Sequence, residues 1–450
     1  MGPHLVAPQT PLKIAVIGSG ISGLAAAWLL SERHDVTLYE AEDRLGGHAN
    51  TVGAPSPQGE IAVDTGFIVY NEPNYPNLTA LFRHFDVPTL AAPMSFAVSL
   101  DAGAFEYSTH GARALFAQPR NLFSPKFWAM LRDVRRFHRT APIDLPALEH
   151  SLASLGAYLA ERGYCEAFRH AHLLPQAAAI WSSSVAQMAS YPAAAFIRFY
   201  KNHRLLEIDM KPNWRTVQGG SRTYVRRLAE AFRGRTVTGD PVVHVIRSAS
   251  DTRVVRQSGQ SESYDQVLLA THSDQALALL DQPTPDERRL LGAIAYQPNL
   301  AVLHRDASLM PRRRAAWAAW NYLGHSRDGE GAGGVTYWMN RLQGLPGPPL
   351  FVSLNPTTPP RPETVIRSEV YEHPVFDGTA LAAQRELWSL QGVRRTWFCG
   401  AWFGSGFHED GLQAGLAAAE ALGGVRRPWS VENESGRIVV TAPDDEERAA

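Results

Sequence analysis

Gly18, Gly20 and Gly23 stand in GxGxxG order directly after the apolar run Lys13-Ile14-Ala15-Val16-Ile17. That run predicts a buried parallel strand, and Leu24-Ala25-Ala26-Ala27-Trp28-Leu29-Leu30 predicts the helix that follows it. At such a strand-to-helix turn each glycine has a task. Gly18 permits the tight turn, Gly20 lets backbone approach a pyrophosphate, and Gly23 lets helix and strand pack closely. Ile21 and Ser22 open the helix, whose unpaired N–H groups and positive dipole end suit the same phosphates. A second strand-like run, Val36-Thr37-Leu38-Tyr39, ends at Glu40, 22 positions after Gly18. A carboxylate there binds ribose hydroxyls and repels a 2′-phosphate, so these residues together predict a dinucleotide site.

Just beyond, Glu40-Ala41-Glu42-Asp43-Arg44-Leu45-Gly46-Gly47-His48 sets a glycine pair after the ribose acid. On these residues the chain resembles the flavin-containing amine oxidase and phytoene desaturase superfamily, and the resemblance implies FAD. It implies that Glu40, Ala41, Gly46, Gly47 and His48 contact the cofactor, with backbone at the pair along the pyrophosphate. The family usually has arginine after the pair, and His48 lacks that permanent charge. Four further stretches carry the likeness. Glu60-Ile61-Ala62-Val63-Asp64-Thr65-Gly66-Phe67 resembles the segment entering the flavin pocket, which implies contacts from Gly66, Phe67 and Ile68. Val217-Gln218-Gly219-Gly220-Ser221, with a helical run to Phe232, resembles the return to the FAD domain. Pro241 to Ile246 then reads as a strand in which Val242 matches the adenine contact, and Tyr264 to Ala270 resembles the strand leaving. Finally Thr396 to Trp402, with Gly400, leads into Gly406-Phe407-His408-Glu409-Asp410-Gly411-Leu412-Gln413-Ala414-Gly415 and a helix to about Leu422. In the family that helix points its N-terminus at the flavin pyrimidine, which implies contacts from Gly411 and Leu412.

These stretches predict an α/β fold, a Rossmann-like FAD-binding domain interleaved with a substrate domain of sheet plus helices. The FAD domain is expected from residues 12–66, 206–275 and 386–424, the substrate domain from 67–205 and 276–385, and a C-terminal tail from 425–450, with Asp444 to Arg448 solvated. Within the substrate domain, Asn77 to Phe85 carries Leu78, Leu81, Phe82 and Phe85 on one helical face. Ser151 to Arg162 predicts a helix with Ser151 as its cap. Phe127 to Arg139 sets Phe127, Met130, Leu131, Val134 and Phe137 opposite Arg132, Arg135, Arg136 and Arg139. That basic face reads as solvated, with a membrane-docking surface as the sharper alternative.

A second GxGxxG for a nicotinamide is absent, which predicts that a substrate reduces the flavin by hydride transfer to N5 and a separate acceptor reoxidises it. The amine oxidases of the family commonly place a lysine near that atom, yet Tyr296 to His304 contains none, and Phe407 stands where tyrosine is usual. The chain most closely resembles a bacterial branch of FAD-dependent oxidoreductases, through Asp64 to Asn71, Val335 to Arg341 and Phe407 to Gly411. Relatives in that branch are often encoded beside enzymes that modify unsaturated acyl chains. Between Phe67 and Leu205 there are 21 aromatics in 139 residues, about 15% against 10% overall, which suits either a long apolar tunnel or an aromatic core. The expected substrate is therefore apolar, lipid or fatty-acyl; a flavin amine oxidase and a redox-silent isomerase or lipid-binding partner are the alternatives. Phe407 is the candidate substrate wall. His408 is the candidate acid–base residue, with a supporting bond to backbone or cofactor as its other reading. Glu409 and Asp410 are either catalytic or acids favoured by the helix dipole.

Composition sets the outer bounds. The 43 Lys and Arg against 44 Asp and Glu leave a net charge of −1, without the basic excess of a dedicated nucleic-acid binder. The two cysteines, Cys165 and Cys399, exclude a disulfide framework and suit a reducing compartment, and neither suggests a metal site. No run predicts a transmembrane span and Met1 to Thr10 does not read as a signal peptide. The expectation is a cytoplasmic protein with peripheral membrane contact open to it.

Overall fold

The computed structural model describes residues 10–149, 151, 153–203, 205–206, 213–325 and 333–440. Strand β1 (Lys13–Ile17), helix α1 (Ile21–Leu30) and strand β2 (Asp35–Glu40) form the first βαβ unit. β1 lies at the centre of a five-stranded parallel sheet, between β2 and Gln266–Leu269, with Arg235–Thr238 and Thr396–Phe398 at the edges. All ten residues of α1 are buried, as they must be in a helix with no polar face. The helix His408–Gly423 crosses α1 through glycine: a Cβ on Gly415 would lie 2.2 Å from the Ser22 carbonyl oxygen. Gly23 is equally closed, its Cβ position 1.9 Å from the Gly18 carbonyl oxygen. This is the Rossmann-like half of an α/β fold.

The second half is a seven-stranded mixed sheet in the order Val365–Val375, Ala295–His304, Phe351–Leu354, Gly334–Trp338, Trp320–Gly324, Phe96–Leu100, Phe105–Ser108. Helices Pro125–Leu148, Leu155–Glu161, Leu174–Trp181, Val185–Ser190 and Ala193–Asn202 form a cap around a second core rich in Phe and Tyr.

Several boundaries differ from expectation. The helix beginning at Ser151 starts instead at Leu155, because Ser154 supplies the cap to Ala157 N–H and Ala153 O is taken by Ala193 N–H. The Phe127 helix runs from Pro125 to Leu148, since Ala141 and Leu145 continue its buried face through Pro142 and Pro146. The expected strand Tyr264 to Ala270 is split. Tyr264 ends an antiparallel strand, Asp265 anchors Lys13 N–H, and Gln266 begins the parallel one. Helix Pro76–His84 and the residues Leu290, Leu291, Phe376 and Ala380, expected in the substrate half, bury their apolar faces in the dinucleotide core.

The expected tail is also corrected over its first part. Trp429 stacks on Trp28 (6.0 Å, 7°), Arg427 pairs with Glu420 at 2.8 Å, and Ile438 is buried. Asp444 to Arg448 lie outside the described residues. Among the described residues no helix is long and apolar enough to cross a membrane.

Candidate functional site

A cavity of about 1760 Å³ runs from the glycine turn after β1, between the two halves, into the helical cap. Small-molecule sites usually measure ~300–1,000 Å³, so this one has room for two molecules end to end. Gly18, Gly20, Ile21, Ser22, Glu40, Ala41, Gly47, His48, Gly66, Phe67, Ile68, Val242 and Gly400 line one end, and Phe407 and His408 stand further along.

The glycine end is built for backbone recognition. A Cβ on Gly20 would meet nothing within 4 Å, whereas one on Gly18 would meet Ala270 O at 2.8 Å. α1 has no side-chain cap, leaving its first N–H groups without a side-chain acceptor. Glu40 is fixed by Ser19 N–H (2.9 Å) and the Ser19 hydroxyl, both on Oε2, and by Glu42 N–H (3.0 Å) on Oε1, which keeps capacity for a ribose hydroxyl. Gly47 packs against Gly20, and Gly66 sits where a Cβ would be 2.2 Å from His48 O.

Four expected contacts stand behind the wall rather than on it. Gly23 and Gly46 shape the turn from beneath, Gly46 donating its N–H to Ser19 O at 3.1 Å. Gly411 and Leu412, expected at the flavin, do not line the cavity and pack inside the protein. Gly411 meets Ser22 and Ile21 of α1, its N–H is spent on Phe407 O, and Leu412 is fully buried. The residue this helix turns to the cavity is His408.

The His408 ring stacks on Phe67 (3.8 Å, 11°), and its Nε2 is 2.9 Å from the Tyr224 hydroxyl. Burial pushes its pKa down to about 3, so the imidazole is neutral at physiological pH. Glu409 caps the helix Pro76–His84, accepting from Asn77 N–H (3.0 Å) and Leu78 N–H (2.9 Å). Asp410 accepts from Phe407 N–H and pairs with Arg437 at 3.4 Å. Both acids are thus occupied in holding structure. Phe407 stacks on Phe199 (5.1 Å, 29°) at the threshold of the cap.

His48 is neutral for the same reason as His408: burial, then His373 and His272 nearby, hold its pKa well below the ordinary value. Its ring lies 5.5 Å from that of His373 and 5.1 Å from Tyr371. The cation near the glycine pair is instead Arg44, which donates to Gly47 O at 2.9 Å and lines the cavity. Sequence reasoning missed Arg44, Tyr224, His272, Tyr371 and His373. Arg44 lies in the loop between Glu40 and His48, and Tyr371 and His373 alternate along one strand face; that spacing was their signal. Among the described residues no group of three or more His, Cys, Asp or Glu side chains could hold a metal ion.

A parallel sheet with an uncapped helix at a glycine turn, a ribose acid and a second, apolar chamber is the arrangement of a dinucleotide-binding protein with room for a further ligand. The profile of the family "Flavin containing amine oxidoreductase" matches residues 21–306, and the chain belongs to that family. The family is described by its flavin, so membership implies FAD as the cofactor. Tryptophan 2-monooxygenase of Pantoea agglomerans pv. gypsophilae is 34% identical over 123 residues, 26% of this chain and 21% of that one. The chain therefore spans about a fifth of that relative's length. Among solved structures, cyclohexylamine oxidase from Brevibacterium oxydans IH-35A superposes with TM-score 0.66 at 17% identity, covering 92% of this chain and 99% of the other. A CLA-producing fatty acid isomerase from P. acnes superposes with TM-score 0.64 at 15% identity, covering 92% and 98%. These two likenesses show a shared fold.

FAD fits the residues present. The open space at Gly20, the free N–H groups of Ile21 and Ser22, Arg44 and Glu40 would hold its pyrophosphate and ribose; Ala41 and Val242 would flank the adenine. Gly66, Phe67, Ile68, His48 and Gly400 would surround the ring end.

Proposed function

We propose that this chain oxidises a long, apolar substrate of the lipid or fatty-acyl class that carries a hydrogen-bond acceptor such as a carboxyl or carbonyl group. The observation behind this reading is the cavity beyond Phe407, walled by Leu115, Leu131, Val134, Ile180 and Phe199. Trp181 and Trp320 also line it, and their buried indole N–H groups have no protein acceptor. An indole N–H only donates, so a wholly hydrocarbon substrate would leave both unsatisfied. FAD, when bound, supplies the hydride acceptor. The protein's share is to seat the chain against Phe407 and Phe199, exclude water, and fix Phe67 through the His408 stack and the Tyr224 hydrogen bond.

The isomerase alternative is a second reading, supported by the likeness to the fatty acid isomerase. Anaerobic mixing of the yellow protein with unsaturated and saturated fatty acids separates the two. Bleaching of the flavin absorbance is the expected result, whereas altered double bonds without bleaching would favour isomerisation. Bleaching by polyamines or aryl amines alone, with peroxide released in air, would overturn the apolar reading in favour of an amine oxidase.

A further inference from the structure

The helix Pro125–Leu148 shows solvent an unusual face. Trp128, Arg132, Arg135, Arg139 and Ile143 are all exposed, at spacings of four, three, four and four. At about 100° per residue these five fall within a stripe roughly 80° wide and about 22 Å long. The opposite face, Phe127, Met130, Phe137, Ala141 and Leu145, is buried in the cap. The stripe therefore lies flat on the surface, with an apolar side chain at each end and three guanidinium groups between.

Its aromatic end is widened by the turn before it. Phe123 is 85% exposed and Leu122 44%, and the Trp128 indole N–H bonds Leu122 O at 2.8 Å, fixing the three together. Single exposed apolar residues need no explanation, but a contiguous group beside a charged stripe does. Arg113, Arg120 and Lys126 lie on the same stretch. Between residues 111 and 139 the only carboxylate is Asp133, which is buried and engaged by Cys165 N–H and Arg136. The charge is thus strongly positive here in a chain whose net charge is −1.

We propose that this face docks the protein on an anionic phospholipid bilayer, with Phe123, Leu122, Trp128 and Ile143 entering the interface and Arg132, Arg135 and Arg139 meeting the headgroups. Charge complementarity selects an anionic surface, and the aromatic and aliphatic tips select a bilayer over a nucleic acid or an acidic protein. The cavity supports the same orientation. Leu131, Val134, Arg135 and His138 line it, and Arg135 is also exposed, so the chamber reaches the surface at the stripe itself. A lipid could pass from the membrane to Phe407 without crossing water. Only this last step rests on the apolar-substrate reading; docking needs no turnover.

The test is co-sedimentation of the FAD-loaded protein with phosphatidylcholine vesicles containing or lacking phosphatidylglycerol. Binding to the anionic vesicles, released by salt, is expected. Replacing Arg132, Arg135 and Arg139 together by Ser should lower partitioning by on the order of 100-fold, at about 5-fold for each arginine near an anionic surface. Phe123→Ser should lower it about 10-fold or more through lost apolar burial, and its exposed ring makes it the safe variant if the triple one loses flavin. Absence of binding to anionic vesicles, equal binding to neutral ones, or unchanged binding by Phe123→Ser would each overturn the proposal. Fatty-acid turnover in detergent by a protein that ignores vesicles would remove docking and leave the substrate reading standing.

Discussion

His408 has two close partners, the face of Phe67 and the hydroxyl of Tyr224, and neither carries a charge. With its pKa pushed to about 3 by burial, the ring neither stores nor releases a proton near neutrality. Its ring lies flat on Phe67 and its Nε2 is the hydrogen-bond partner of the Tyr224 hydroxyl, which fits a supporting role. His408→Gln keeps a hydrogen-bonding group and loses the stack, so FAD occupancy should fall while turnover per bound flavin stays within about tenfold. Slowing of the reductive half-reaction by ~10²–10⁴-fold at full occupancy would instead assign it proton transfer. His408 and Phe407 were legible because they stand between a glycine loop and a helix in a recognisable stretch. Tyr224 was not: in Arg222–Ala231 a tyrosine reads as one more residue of a buried face, and only packing carries its hydroxyl to a residue 184 positions away. Of the rings around His48, His272 was hidden for the same reason, whereas His373 showed only as an alternation along its strand.

The crossing of α1 with its strand and with His408–Gly423 separates glycines that bind from glycines that pack. Gly20 has φ −59° and ψ 177°, a conformation open to any residue, and its Cβ would point into free space. Gly20→Ala should therefore fold normally and lose flavin, because the methyl occupies the ligand's place. A Cβ at Gly23 would overlap Gly18 O, so Gly23→Ala must displace the helix and should lose both fold and flavin. Flavin content against far-UV circular dichroism checks both; a Gly20→Ala protein with full flavin would remove the pyrophosphate from this loop. The sequence carried elements of this kind well, since a strand buried on both faces leaves an unbroken apolar run. It carried ends poorly. Ser151 and Ser154 are equally good caps by type, and only the pairing of Ala153 with Ala193 decides between them. Tyr264 and Gln266 belong to different sheets because Asp265, which accepts from Lys13 N–H, turns the chain between them.

Across the whole molecule, the five-stranded parallel sheet takes its strands from residues 13–40, 235–269 and 396–398, while the helix Pro76–His84 and residues 427–438 pack onto that half from elsewhere in the chain. Their attachment depends on a buried Glu409 cap and an Arg427 ion pair, contacts between distant positions that no local pattern announces. One consequence of such burial concerns the histidines. Nine of them, His48, His138, His170, His172, His203, His272, His304, His373 and His408, have pKa values lowered by burial. Each binds its proton less readily in the fold than in the unfolded chain, which takes one up once the pH drops below its unfolded value near ~6.5. The unfolded state then binds more protons, and stability rises with pH through that range. Asp64, raised to about 6, and Glu409 and Asp410, also raised by burial, act in the opposite direction, but they are three against nine. Every net proton taken up on unfolding costs ~1.4 kcal/mol per pH unit. The melting temperature of the flavin-loaded protein should therefore be level from about pH 7 to 8 and fall steadily from about 6.5 towards 4. An unchanged or higher melting temperature at about pH 5 would show that unfolding takes up no net protons there, and so that the fold does not hold these histidines as a set below their unfolded pKa.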